Sequence, residues 1–401
     1  MSNNKIVFLS TFYFSKIHFR QLEMSKYLKN KIKVEIWYLN KLVNRNYKIK
    51  EFKNGFKKIK IKKVNNFIQL EKLIQINNSG CVYDLKIPYN FASKKLLQTL
   101  SKYRVRYLVH LMQGSNIYHK NIKLNDYIKL QLKKLFSKNF LNIKNALFNK
   151  FFLLFSSNFW KIGQASYVYL VGKSAYDNRF DNKLVNNKTK LILGHHRNYD
   201  DYLSEKNKVI KLKQKNALFI DQQVPFHPEL KELGLSDIKP EIYYNSIKKF
   251  LEKINKVLGY RIEISCHPKC NVKKLKRFFP NFKIKINDTI NQIRSSELVI
   301  THESTAIDFA ILYKKPLLFV TNNILNKSSY PHFETIKAKA NHLNKTPINI
   351  DICSIKDIKK NISSSKFYYT NYLRNFIKLS KKEKSQAILI IERFKKDKLW
   401  V

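Results

Sequence analysis

Short apolar runs alternate with segments of helical period along most of this chain. Lys5–Ser10 reads as a first strand, and residues 17–28 carry apolar positions at helical spacing. Strand-like runs follow at residues 33–39, 57–64, 81–84 and 106–111, with helical stretches at 67–76 and 91–101 between them. Strands separated by helices of about ten residues predict βαβ units and a parallel sheet. From residue 122 to 159 the pattern changes to Lys, Phe and Leu at helical spacing without turn signals. Tyr167–Val171 and residues 190–193 return to strand character, and the polar stretch 194–201 reads as a turn.

Charged residues replace apolar periodicity at residues 204–213, which sets a domain boundary at 205/206. A second series then begins, with strands at 217–220, 261–265, 282–286, Leu298–Thr301 and 316–320. Helices are expected at Pro240–Leu258, 272–279, Thr289–Ser295 and 304–313, and a terminal helix at 381–398. The expectation is an α/β protein of two domains, residues 1–205 and 206–401, the second ending in a C-terminal helix.

Composition narrows this. The hydrophobic share of 44% describes a globular chain. The longest apolar cluster, residues 151–155, is far short of the roughly 20 residues needed to cross a bilayer. Met1 to Lys5 leads straight into a strand without a signal-peptide pattern, so the protein is expected in the cytoplasm. The four cysteines form no disulfide framework, and the Cys266-His267-Pro268-Lys269-Cys270 group lacks the second ligand pair of a structural zinc site. No metal and no cofactor are expected. Lys and Arg number 78 against 28 Asp and Glu, a field that attracts polyanions, anionic lipid and phosphorylated substrates. The basic residues are spread along the chain, and part of the excess follows from abundant Lys, Asn and Ile throughout. Gly-x-Gly-x-x-Gly and P-loop patterns are absent, which argues against a dinucleotide oxidoreductase or an ordinary NTPase.

The chemistry concentrates in residues 262–319. Ile264-Ser265-Cys266-His267-Pro268 ends one strand, and Leu298-Val299-Ile300-Thr301-His302-Glu303-Ser304-Thr305-Ala306 runs from another into a helix. Ligands of open α/β sheets bind beyond the carboxyl ends of strands, where backbone N–H groups receive phosphate. Taken singly, His-Pro is an ordinary strand end and Ser-Thr an ordinary helix cap. Together, in this order, they resemble the C-terminal domain of bacterial surface-polysaccharide glycosyltransferases. The pattern is similar to the His-Pro and Ser-Ser/Ser-Thr motifs of polysialyltransferase and sialyltransferase-like families, which use CMP-activated sugars. Teichoic-acid polymerases that use CDP-glycerol have a similar layout.

That resemblance implies a GT-B fold, with two Rossmann-like domains facing a central cleft. It implies donor contacts from His267, Pro268, Ser304 and Thr305, to which their place at the same strand end adds His302 and Glu303. The N-terminal domain then supplies a catalytic carboxylate near a strand end, a place Asp84 fits. Gly114, Ser115, Asn116, His195, Arg197 and Asp221 are further expected cleft contacts. The implied reaction moves a nonulosonic acid or Kdo-like sugar from a CMP donor to a surface glycan. The acceptor would be lipid-linked, with the enzyme peripheral at the inner face of the plasma membrane. The helical spacing of residues 121–160, with Lys129, Lys133, Lys134 and Lys138 among apolar positions, leaves two readings open: contact with anionic lipid, or helices that cover the N-terminal sheet with their lysines in water. The alternatives are transfer of glycerol- or ribitol-phosphate from a CDP donor, and a basic nucleic-acid-binding protein. The last finds no recognition signature in the chain.

Overall fold

A computed structural model describes residues 4–43, 58–77, 80–112, 140–208, 215–227, 237–268, 270–328, 332–362 and 366–400. The chain forms two compact units, each built on one parallel sheet. The first comprises Met1–Gln113, Phe140–Leu203 and Asn375–Val401, and the second includes Ser204–Arg374.

Seven strands make the first sheet: β1 (Lys5–Ser10), β2 (Lys33–Tyr38), β3 (Lys60–Lys63), β4 (Cys81–Lys86), β5 (Tyr107–Met112), β6 (Tyr167–Val171) and β7 (Lys190–Gly194). Their order is β3-β2-β1-β4-β5-β6-β7. The second sheet contains β8 (Asn216–Asp221), β9 (Arg261–Cys266), β10 (Lys283–Ile286), β11 (Leu298–Thr301), β12 (Leu317–Thr321) and β13 (Ile348–Asn349), in the order β10-β9-β8-β11-β12-β13. Every pairing is parallel. Both orders reverse direction after the third position, the doubly wound arrangement of Rossmann-like units. The α/β class expected from the hydrophobic pattern is therefore what the structure shows.

Each strand buries alternate residues on opposite faces. On one face of the first sheet Val7, Leu9, Trp37 and Tyr83 join Leu70, Ile74, Leu96 and Leu100 of two covering helices, Phe67–Ile76 and Lys94–Lys102. On the other, Phe8, Ile36, Val82, Leu108 and Tyr169 pack with Ile390, Ile391 and Phe394. Those last three belong to the terminal helix, Gln386–Lys396, so this helix completes the first unit and not the second. Carboxylates decide its position. The Gln386 N–H donates to Asp200 Oδ1 at 3.0 Å, and the Ala387 N–H donates to Glu23 Oε2 at 3.0 Å. Both satisfy orphan donors at a positive helix end. At the other end Asp397 accepts from the Tyr167 hydroxyl at 2.7 Å and pairs with Lys190 and Arg393.

Some element boundaries differ from expectation. The helix expected at 17–28 is two helices, Lys16–Gln21 and Met24–Lys29, broken where Glu23 takes a left-handed φ of 48°. The stretch 194–201 is not a plain turn, since Arg197–Glu205 is helical. The helix expected at 304–313 begins only at Ile307, after i to i+3 bonds from Ser304, Thr305 and Ala306.

Gly172 sits at the junction of β6 with the returning chain, at φ +76°, and a Cβ there would lie 2.2 Å from the Asn375 carbonyl oxygen. Gly259, at φ +69°, would meet nothing within 4 Å. Gly172→Ala should cost at least about 2 kcal/mol, from left-handed strain plus backbone overlap. Gly259→Ala should cost about 1 kcal/mol, from strain alone. Urea unfolding of both variants measures this, and equal losses would show that the Asn375 contact adds nothing.

Candidate functional site

The carboxyl edge of the second sheet carries the densest polar chemistry predicted from sequence. β9 and β11 both pair with β8, with Ile220 aligned to Ser265 on one side and Thr301 on the other. The ends of β9 and β11 therefore lie two strand spacings apart, about 10 Å. His267-Pro268 leaves the first of these ends and His302-Glu303-Ser304-Thr305 the second. Asp221 ends the strand between them.

Asp221 is 1% exposed. Its Oδ1 accepts the Gln223 N–H at 3.0 Å and its Oδ2 accepts the Tyr244 hydroxyl at 3.3 Å. Gln223 is thereby held in a left-handed turn, φ 54°. The neighbouring Gln222 reaches across, and its Oε1 accepts the Glu303 N–H at 2.9 Å. One short polar turn thus ties the β8 loop to the β11 loop. Burial pushes the Asp221 carboxyl up to about 6, against the bonds from Gln223 and Tyr244 that favour its charged form.

His302 is 1% exposed. Its Nδ1–H donates to the Val320 carbonyl at 2.6 Å, which leaves Nε2 to accept the Tyr243 hydroxyl at 2.8 Å. Burial holds the ring down at about 4, so it is neutral over the physiological range. The sequence reading makes His302 a donor contact. The structure gives both its nitrogens to the protein, because a buried imidazole needs partners for each. His302 therefore braces the loop that follows it.

That loop leaves donors over. The Ala306 N–H bonds Ser304 Oγ at 3.1 Å, and the N–H groups of Ile307, Asp308 and Phe309 return to carbonyls of residues 304–306. Among the described residues, the Ser304 and Thr305 N–H groups donate no bond and the Thr305 hydroxyl makes none, and Thr305 is exposed. Two successive free N–H groups form the kind of concavity that holds phosphate oxygens. His267, half-buried, stands at the end of β9, with its ring centroid 6.3 Å from that of His227. Pro268 is exposed.

The first unit has its own polar group. Asp84, 1% exposed, lies 3.1 Å from His110 Nε2 and 2.8 Å from Lys86 Nζ. Burial pushes its carboxyl up, but His110 and Lys86 outweigh that and hold it at about 2. Burial lowers the pKa of His110 despite Asp84, and Gln386 Nε2 lies 3.3 Å from His110 Nδ1. Asp84 is thus an ionised carboxylate, set between a Lys86 amine and a His110 ring whose charged forms burial disfavours. A carboxylate at about 2 is a weak proton acceptor, so Asp84 is suited to orienting His110 and not to direct proton removal.

His195, expected as a cleft contact, is completely buried. Its Nε2 meets Asp200 Oδ1 at 2.8 Å, and its backbone N–H and carbonyl both bond the Tyr169 hydroxyl. It is part of the frame under the terminal helix, since the same Asp200 oxygen caps that helix. Arg197 is exposed and donates to Gln21 Oε1 at 2.9 Å. Gly114, Ser115 and Asn116 lie outside the described residues, as do Lys129, Lys133, Lys134 and Lys138. Sequence reasoning missed Gln222, Tyr243, Tyr244, Lys86 and His110. The two tyrosines fall on the apolar stripe of the helix Pro240–Leu258 and read as core, while their hydroxyls serve two strand ends.

No protein-family model and no curated protein sequence matches the chain. Solved structures similar to it include S. aureus MnaA with UDP, at 12% identity and TM-score 0.47 over 100% of this chain and 98% of that one. A variant of the wall teichoic acid polymerase TagF matches at 12% identity and TM-score 0.49, over 99% of this chain and 90% of that one. MurG of Acinetobacter baumannii matches at 10% identity and TM-score 0.44, over 97% and 99%.

The raised Asp221 pKa makes stability fall with pH. The folded state keeps this proton up to about 6, whereas the unfolded chain releases it near 3.8. Its stabilising effect is thus present in acid and is lost as pH rises from about 4 to about 6. The loss for a group so shifted is on the order of 3 kcal/mol. Asp221→Asn should remove this slope and be more stable than the parent at pH 7. Unfolding free energies across pH 4 to 7 measure it (a window set by the two values above), and parallel curves for the two proteins would contradict the assignment.

Proposed function

We propose that this chain is a glycosyltransferase of the GT-B type, which binds a nucleotide-activated sugar at the carboxyl edge of its second sheet. The observation that carries the reading is the loop after β11. It offers the free N–H groups of Ser304 and Thr305 and the Thr305 hydroxyl, with His267 about two strand spacings away. In transfer, the bond between the anomeric carbon and a phosphate oxygen breaks, and a bond from the acceptor oxygen forms. Negative charge grows on the leaving phosphate, where the backbone N–H donors and the His267 ring stabilise it. The acceptor hydroxyl loses its proton to a base, a role we assign to the first unit: Asp84 holds the His110 ring through Nε2, and His110 Nδ1 takes the proton once the hydroxyl displaces the Gln386 amide that faces it.

The favoured donor is a CMP-linked nonulosonic acid or Kdo-like sugar, and the acceptor a lipid-linked surface glycan at the inner face of the plasma membrane. Support comes from the order His-Pro, then Ser-Thr, at strand ends now placed on one sheet edge. The same two motifs also suit a CDP-alcohol donor, with transfer of glycerol- or ribitol-phosphate as the second reading. Within the first, His302 and Asp221 brace the site, and His267, Glu303, Ser304 and Thr305 surround the donor.

A thermal-shift panel of CMP, CDP, UDP and GDP with their sugars tests the donor. Stabilisation by CMP, lost in His267→Ala and Thr305→Ala, is the expected result. Stabilisation by CDP-glycerol alone selects the second reading, and no response to any nucleotide removes both. For catalysis, Asp84→Asn and His110→Gln should each lower turnover by about 10²–10⁴ while donor affinity holds. Near-normal turnover in both variants would take the base out of this group.

A further inference from the structure

We infer that the helix Phe140–Leu154 and the turn after it form a docking surface for anionic lipid. The inference does not depend on the transferase reading. Phe152 is completely buried and fixes the helix, with its ring 4.8 Å from Tyr89 and 5.3 Å from Trp160. The Trp160 indole N–H donates to the Phe152 carbonyl at 3.0 Å, and the Phe91 N–H donates to Asn149 Oδ1 at 2.7 Å. What this anchoring leaves outside is apolar. Leu147 is 62% exposed, Phe151 50%, Leu154 76% and Phe159 59%. Leu147, Phe151 and Leu154 follow the i, i+4, i+7 spacing of one helix face. Phe155 and Phe159 stack at 4.4 Å and extend the ridge into the turn. Clustered exposed side chains of this size mark a contact surface.

Charge selects the occupant. Between Leu85 and Tyr176 the sequence holds sixteen Lys and Arg and a single acidic residue, Asp126. The basic residues of the whole chain are widely spread, but this is where acids are missing. Lys150 is exposed on the helix itself, and Lys94 Nζ sits 3.8 Å above the Trp160 ring. Lys95 and Lys161 line one concavity of about 450 Å³ beside it, together with Lys102, which also reaches Glu71 Oε1 at 3.5 Å. Apolar rings flanked by lysines, with no carboxylate on the helix or its turn, match a lipid headgroup layer. There the rings enter the acyl boundary and the ammonium groups meet phosphate. Among the described residues no helix is long and apolar enough to cross a membrane.

The test is co-sedimentation of the full chain with vesicles. One set contains phosphatidylglycerol mixed with phosphatidylcholine and the other phosphatidylcholine alone. The parent should bind the first and not the second. Phe151→Ser with Phe159→Ser should weaken binding at least about tenfold, as should Leu154→Gln alone if the double variant fails to fold. Lys150→Glu with Lys161→Glu should weaken it about 30-fold, and added salt should weaken the parent likewise. Binding to anionic vesicles unchanged in all variants, or no binding by the parent, overturns the proposal. A dimer in solution that the Phe variants dissolve, without vesicle binding, also overturns it and makes the face an interface between copies. Nucleotide thermal shifts are read on the same proteins, so failure here stays separate from failure of the donor site.

Discussion

Two adjacent tyrosines hold the two strand ends on which the proposed donor site rests. Asp221 and His302 end neighbouring strands and are both 1% exposed, where an unpaired polar group costs about 1–3 kcal/mol. Tyr244 bonds the first and Tyr243 the second, from consecutive positions of one helix. With both groups held, Gln222 is placed to take up the Glu303 N–H, and the next two N–H groups stay free. Removing either hydroxyl would strand a buried group and release the loop whose geometry offers donors to phosphate. The frame is polar, yet most of it is hidden, and that division lets the rigid part and the binding part occupy the same few residues.

Much of the fold could be read from the chain. Runs such as Ile6-Val7-Phe8-Leu9 and Leu298-Val299-Ile300 are rich in branched and aromatic residues and bounded by polar turns, so both series of strands stood out. The terminal helix also stood out, through the stripe that includes Ala387, Ile390, Ile391 and Phe394. Its destination did not. An apolar stripe says that a face is buried without saying against what. The deciding groups, Glu23 and Asp200, lie 364 and 186 residues away from their partners.

The site was legible in part for a similar reason. His267-Pro268 and Ser304-Thr305 announce strand ends, and sheet order brings those ends to one edge. Whether a histidine faces a ligand or the protein is a matter of burial, which short motifs do not encode. His302 and His195 look like solvent-facing polar residues in sequence, and both are inside. The first is bonded through both nitrogens, to Val320 and Tyr243, and the second through Nε2, to Asp200. Asp84 shows the converse, a carboxylate at a plausible catalytic strand that is already committed to Lys86 and His110.

The central claim is that one nucleotide spans the loops after β9 and β11. Backbone hydrogen exchange with and without CMP tests this directly, because the free N–H groups of Ser304 and Thr305 are themselves the proposed ligands. The account predicts simultaneous slowing of exchange in peptides covering residues 301–306 and 265–271. Protection confined to the first unit, or to one of these two segments without the other, would contradict it.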